Sequence, residues 1–176
     1  RLEPPSPSPF VDHEFPMDRS ARWLRPHEIV AQPRLFVDSS DSSDVVQGAL
    51  ADCWFLSALA VVALRPVLLR RIFASSFTED SGESGRYTFE FFKGGDWTRV
   101  TIDDRLPCDA SGQLLYARSA EETEMWVALV EKAYAKLHGS YAALKSGTAD
   151  VALRDLTGGA PQRIRFGAKG SAHRGG

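Results

Sequence analysis

The stretch Gln47-Gly48-Ala49-Leu50-Ala51-Asp52-Cys53-Trp54 holds the residues of this chain whose types and spacing suit covalent chemistry. Cys53 stands where a polar, glycine-containing loop gives way to an apolar run that continues to Leu64. A thiol attacks as its thiolate, and the first turn of a helix favours that charge through its unpaired N–H groups and dipole. Attack on a carbonyl creates an oxyanion, which needs donors fixed in place. The Cys53 backbone N–H supplies one, and the Gln47 side-chain amide, brought back by the loop at Gly48, supplies a second. The spacing therefore allows half of an acyl-transfer site. The other half, a general base and a residue to orient it, is not in this stretch. Free cysteine is also a frequent core residue that behaves as a small hydrophobe, and local spacing leaves both readings open.

The elements that must position these groups can be read from periodicity and turn residues. Cys53 to Leu64 is apolar on nearly every face, Ser57 excepted, which predicts a buried helix with Asp52 at its N-cap. A second helical segment, Val67 to Phe73, follows Pro66. Arg86 to Lys93 and Trp97 to Asp104 have strand-like density of aromatic and β-branched residues, and Gly94-Gly95-Asp96 between them predicts an antiparallel hairpin. Gln113 to Arg118 reads as a third strand. Trp126, Leu129, Val130, Ala133, Tyr134 and Leu137 recur at helical spacing, predicting an amphipathic helix from about Glu122 to His138 that stops at Gly139. Thr148 to Leu156 predicts a last short helix closed by Gly158-Gly159, and Trp23 to Phe36 a short helix and loop. The class is α+β.

Composition narrows the partners. The chain has 176 residues and a formal charge of −2, without a basic stripe for nucleic acid or a Lys/Arg-rich face for a membrane surface. Its longest apolar run is too short to span a bilayer. The start, RLEPPSPSPF, lacks the apolar segment of a signal peptide and an initiator Met, so the chain reads as processed or as a fragment. Two cysteines, Cys53 and Cys108, suit free thiols in a reducing, cytoplasmic setting better than a disulfide scaffold. His13, His27, His138 and His173 lack metal-ligand spacing. Residues 1–20 read as a Pro-rich arm, 21–165 as the folded body and 166–176 as a Gly-rich tail expected to be disordered. Asp103-Asp104 reads as a hairpin end whose carboxylates accept N–H bonds, Cys108 as a bystander, and Trp54, Trp97 and Trp126 as core or cleft-wall residues.

QGALADCWFLSALA resembles the active-site segment of the calpain family, Q-G-x-x-G-D-C-W followed by an apolar helix. Four further segments match in the family's order. They are Pro33-Arg34-Leu35-Phe36-Val37, the hairpin from Gly95 to Pro107 with Trp97, Val100, Asp103 and Asp104, the helix from Trp126 to Lys136 with Gly139-Ser140-Tyr141, and Asp155-Leu156-Thr157-Gly158-Gly159. Together they cover roughly residues 22 to 160. The resemblance implies the helical first lobe of a papain-like cysteine peptidase, with a central buried helix and a small antiparallel sheet. It makes Cys53 the nucleophile and Gln47 the oxyanion donor of a calcium-dependent endopeptidase that acts on protein substrates. It also implies a Ca²⁺ site with carbonyl ligands at Val37 and Ser39 and carboxylates at Asp44 and Glu124, the latter in the first turn of its helix. Oxygen ligands of this mixed kind suit calcium, although the loop is not an EF-hand.

Two departures stand out. Ala51 and Ser39 replace glycines usual in the family. The family's catalytic His and Asn belong to a second lobe, in motifs such as G-H-A-Y and N-P-W-G downstream of T-G-G, and this sequence ends before them. Neither His138, at a helix end, nor His173, in the tail, is a credible base. The missing second lobe is therefore an expected partner, and the half core is expected to be inactive alone. The alternative is a non-catalytic calpain-like module that binds calcium and partner proteins.

Overall fold

The computed structural model describes residues 9–37, 44–74 and 84–162. In chain order these form β1 (Arg22–Leu24), α1 (Pro26–Ile29), β2 (Val45–Val46), α2 (Cys53–Ala63), α3 (Pro66–Ile72), β3 (Arg86–Lys93), β4 (Asp96–Asp103), β5 (Leu106–Cys108), β6 (Arg118–Ser119), α4 (Trp126–His138), a 3₁₀ turn (Tyr141–Lys145) and α5 (Ala149–Thr157). Helices and small antiparallel sheets in this mixture make the chain α+β.

The helix breaks follow from single residues. Proline has no N–H to continue a helix but suits a first turn, so Pro66 ends the run of α2 and opens α3. Gly139 (φ 101°) and Gly158 (φ 72°) close α4 and α5 in the left-handed conformation that glycine adopts without strain. The hairpin turns at Gly94 and Gly95, both at positive φ, and pairs from Arg86↔Asp103 to Lys93↔Asp96. Alternation then puts Tyr87, Phe89, Phe91, Val100 and Ile102 on the buried face.

Three expectations are corrected. The most deeply buried helix is α4 rather than α2: every residue from Trp126 to Ala135 is buried. It packs between the hairpin, α2 and the 3₁₀ turn, with Phe55 of α2 stacked on Tyr134 at 4.1 Å. On α2, Cys53, Ser57 and Val61 lie four residues apart on one exposed face. With Leu64 and Val67 this stripe continues past the helix end, and Val61, Leu64 and Val67 are 56%, 56% and 78% exposed. α4 also starts at Trp126, so Glu124 precedes the helix instead of sitting in its first turn.

The third correction concerns the strand expected at Gln113 to Arg118. The Asp109 carboxylate gathers the Ser111 and Gln113 N–H groups into a tight turn, and only Leu114 makes an isolated bridge, to Cys108. The strand residues are Arg118 and Ser119, and they pair with Val46 and Val45. Among the described residues there are thus three separate two-stranded sheets, β1–β5, β2–β6 and β3–β4.

The arm does not stand away from the body over its described half, residues 9–20. The Phe10 N–H donates to Ser84 O, the Asp12 N–H donates to the Asp103 carboxylate, and Phe15 packs edge-on against Trp23 and Tyr141. The tail, residues 166–176, lies outside the described residues.

Candidate active site

Cys53 is exposed and is the first residue of α2. The Asp52 carbonyl accepts the Phe55 and Leu56 N–H groups, so Asp52 takes the N-cap position through its backbone. Its side chain does not cap, contrary to the sequence expectation. It turns inward, is fully buried, and faces the Glu131 carboxyl of α4. The Cys53 N–H, which no capping side chain takes, remains at the helix start as a donor.

Gln47 follows directly on β2. Its Nε2 donates to Leu50 O at 2.9 Å, which folds the side chain over its own loop and leaves the second amide hydrogen for another acceptor. Gly48 makes this loop possible. A Cβ there would stand 2.1 Å from the Tyr116 carbonyl oxygen, so the two backbones meet at a distance only glycine allows. Ala49 N–H then donates to Leu115 O. Ala51 is exposed and has no positive φ, so its methyl group is accommodated without backbone strain.

Trp54 fixes the other side of the nucleophile. Its indole N–H donates to Leu144 O at 2.8 Å, and a Cβ on Gly147 would come within 2.4 Å of the ring. The loop at Gly147 therefore lies flat on Trp54. Sequence reasoning missed this contact; a lone glycine in a polar loop after the 3₁₀ turn was its only signal.

The second cysteine differs in every respect. Cys108 is fully buried on β5, and burial pushes its thiol up to about 11, with the Asp109 charge adding to the effect. His138 is also engaged. Its Nε2 lies 3.2 Å from Lys93 Nζ and 3.7 Å from Asp155 Oδ2. The same lysine and the Tyr134 hydroxyl bind Asp155, which joins β3, α4 and α5 in one polar cluster.

Of the four expected cation ligands, Val37 and Glu124 meet, with Val37 presenting its N–H and not the expected carbonyl, and Asp44 lies near enough for its charge to act on Glu124. Residues 34–37 run alongside 123–126, with Arg34 N–H on Thr123 O and Trp126 N–H on Leu35 O. This places the Val37 N–H on Glu124 Oε1 at 2.8 Å, while Glu124 Oε2 accepts the Trp126 indole N–H at 3.0 Å. Asp44 is held nearby through its carbonyl, which accepts the Ala120 N–H. Burial raises the Glu124 carboxyl above its ordinary range and the Asp44 charge pushes the same way, although the Val37 N–H opposes them. Glu124 is thus a buried carboxylate that feels the Asp44 charge, a repulsion that a cation would relieve. Ser39 lies outside the described residues. Among the described residues, no three His, Cys, Asp or Glu side chains converge into a metal cluster.

Comparison with known proteins gives a consistent answer. The profile of a family described as calpain family cysteine protease matches residues 4–173. Calpain clp-4 of Caenorhabditis elegans is 51% identical over 163 residues, covering 85% of this chain and 22% of that protein. Calpain-A of Drosophila melanogaster is 46% identical over 142 residues, with 81% and 17% covered. The calpain-type cysteine protease ADL1 of Oryza sativa subsp. japonica is 44% identical over 177 residues, with 88% and 8% covered. The chain thus spans about a tenth to a fifth of the length of these relatives.

Proposed function

The chain belongs to the calpain family of cysteine proteases, and on that premise we propose that it is the nucleophile-bearing, papain-like first lobe of a calcium-dependent intracellular endopeptidase. The observation that carries this reading is the contrast between its thiols: Cys53 is exposed at the start of a helix and Cys108 is buried.

In this reading the Cys53 sulfur attacks the carbonyl carbon of a peptide bond. The oxyanion that forms takes the Cys53 N–H and the free hydrogen of Gln47 Nε2. Collapse expels the amine, and water then releases the acyl group from sulfur. The proton taken from the thiol and returned to the amine passes through a His on a second lobe, oriented by an Asn. That lobe docks on the exposed stripe Cys53, Ser57, Val61, Leu64 and Val67, an apolar surface that otherwise faces solvent.

Calcium is the implied ligand at Val37, Ser39, Asp44 and Glu124, where it would neutralise the charge of the two carboxylates. Because Asp44 directly precedes β2, and β2 leads into Gln47, a cation held there tethers the oxyanion loop to the start of α4. Two carboxylates with carbonyls and water give a weak site, with a dissociation constant of about 10⁻⁵ to 10⁻³ M.

The test supplies the second lobe of a calpain-family protease to the chain, fused or in trans. Casein hydrolysis that needs Cys53 and is stimulated by calcium should appear in the combination and not in the chain alone. The base step by itself contributes roughly a hundred- to ten-thousand-fold. Turnover by the isolated chain refutes the division into lobes, and none in the combination refutes the protease reading. Millimolar calcium should raise the melting temperature of the wild type and leave that of Asp44→Ala unchanged. Glu124→Ala is the poorer probe, because it also removes the acceptors of Val37 and Trp126.

A further inference from the structure

Behind the nucleophile lies a pair of acids that the proposed chemistry does not use. Asp52 is fully buried and Glu131, in the middle of α4, is 1% exposed. Both Glu131 oxygens lie within 3.2 Å of the Ala117 N–H. Among the described residues, no N–H or hydroxyl of another residue bonds an Asp52 oxygen, and the side chain faces its own backbone N–H and the Glu131 carboxyl. Two carboxylates have acceptors only, so a hydrogen bond between them requires one proton.

Among the described residues, no cation takes its place. The next residue on α4, Lys132, turns away and spends its three donors on Asp103 O, Asp103 Oδ1 and Arg105 O. The other titratable groups that face the pair are Tyr116, from the loop before β6, and Tyr141, from the 3₁₀ turn. Burial raises both phenols, and the nearby carboxyl charge adds to the effect, so they are neutral. Cys108 on β5 lies beyond Tyr141 and is also held neutral by burial.

We propose that Asp52 and Glu131 share a single proton, and that this bond positions the Cys53 amide by tying the residue before the nucleophile to the centre of α4. Asp52 is the N-cap of α2, so its backbone sets where the Cys53 N–H points. The proton converts two like charges in a buried site into one hydrogen-bonded anion. Burial raises both carboxyls above their ordinary range, and for Glu131 the Asp52 charge acts in the same direction. A carboxyl that binds its proton more tightly when folded stabilises the fold below the ordinary carboxyl range and loses that contribution as pH rises through its own folded value. Loss of the proton leaves two anions facing each other, and the side able to retreat is the loop carrying Asp52. The positioning role rests on Cys53 being the nucleophile; the shared proton does not.

The experiment uses the whole 176-residue chain as wild type, Asp52→Asn and Glu131→Gln. Infrared difference spectra near neutral pH should show the carbonyl stretch of a protonated carboxylic acid in the wild type and in neither variant. On raising the pH from mildly acid to mildly alkaline, the wild-type melting temperature should fall relative to both variants. The fall should be about 4 °C for every tenfold of proton affinity that the pair gains on folding. The alkylation rate of Cys53 against pH should depart from a single-thiol curve in the wild type and follow one in the variants. Absence of the infrared band, readable on the wild type even if a variant does not fold, overturns the shared proton. Melting profiles that stay parallel do the same. A band with identical Cys53 profiles in all three proteins overturns the positioning role. A Cys53 inert to alkylation at every pH, with band and melting profile as expected, counts against the protease reading alone.

Discussion

Asp103 and Asp52 are both buried carboxyls that meet α4, at residues one position apart, and they are neutralised in opposite ways. Asp103, at the end of β4, accepts from Lys132 and Arg105 and takes the Asp12 N–H as well. Its neighbour Asp104 pairs with Arg25. Asp52 receives no cation and faces another acid. The cysteines differ as well: Cys108 is sealed in β5, and Cys53 opens to solvent next to Asp52. The first region joins hairpin, arm and α4, and it is built to stay closed. The second holds the candidate chemistry, and its acid pair is satisfied only while it keeps a proton. Complete hydrogen bonding rigidifies a buried network, and an incomplete one is where a structure can respond.

The largest break in this contrast is Lys132→Met. It keeps the stem's packing but strands Asp103 and two carbonyls, and removing one partner of a buried ion pair costs about 3 to 5 kcal/mol. Urea unfolding should show that loss. A change near zero would mean that Arg105 alone satisfies Asp103.

The next effect is kinetic. Near neutral pH, Cys53 should be alkylated roughly a hundredfold faster than Cys108 or more, because burial keeps the latter's thiol protonated and out of reach. Mass spectrometry of the two peptides decides it, and comparable rates would erase the distinction between the regions.

The smallest effect separates the regions by pH. Burial pushes Asp103 up, but Lys132, the Asp12 N–H and Arg105 outweigh it and lower the carboxyl overall. Its contribution is therefore present above the ordinary carboxyl range and lost as pH falls through its folded value. The wild type should lose a few degrees of melting temperature on acidification that Lys132→Met does not, a limb opposite in sign to that of Asp52 and Glu131.

Much of this was legible in the sequence where the signal was local. The α2 run, the Gly94-Gly95 hairpin, the Gly139 stop and the Gly158 stop depend on neighbours a few residues away, and they formed within a few residues of their expected limits. Readings that depended on distant partners fared worse. An aspartate before a helix suggests a cap, yet Asp52 turned inward because Glu131, 79 residues on, offered a buried bond. Gln113 to Tyr116 had strand-like residues but meet β5 only through the Leu114 bridge and the Leu115 N–H on Pro107 O, while Arg118 and Ser119 found β2. Helical spacing predicted an apolar face from Trp126 to Leu137, yet the face with Glu131 and Lys132 is buried as well. Small apolar Val127, Ala128 and Ala135 around them were the overlooked sign that this face was also covered. Of the candidate site, spacing suggested Cys53 and Gln47 and the resemblance implied Val37, Ser39, Asp44 and Glu124, but spacing alone did not bring Val37 to Glu124 across 87 residues.

The Trp54 clamp has an optical consequence. Its indole is held by Leu144 and Gly147 one residue from the candidate nucleophile, so its emission should report occupancy of Cys53 without any added label. Trp126 is bonded to Glu124 in the candidate cation site, and Trp97 lies under the Arg71 guanidinium far along the hairpin. A red or blue displacement on thiol modification and one on adding calcium would then arise from different indoles, and substituting Trp54 and Trp126 singly by Phe would assign each signal to its site.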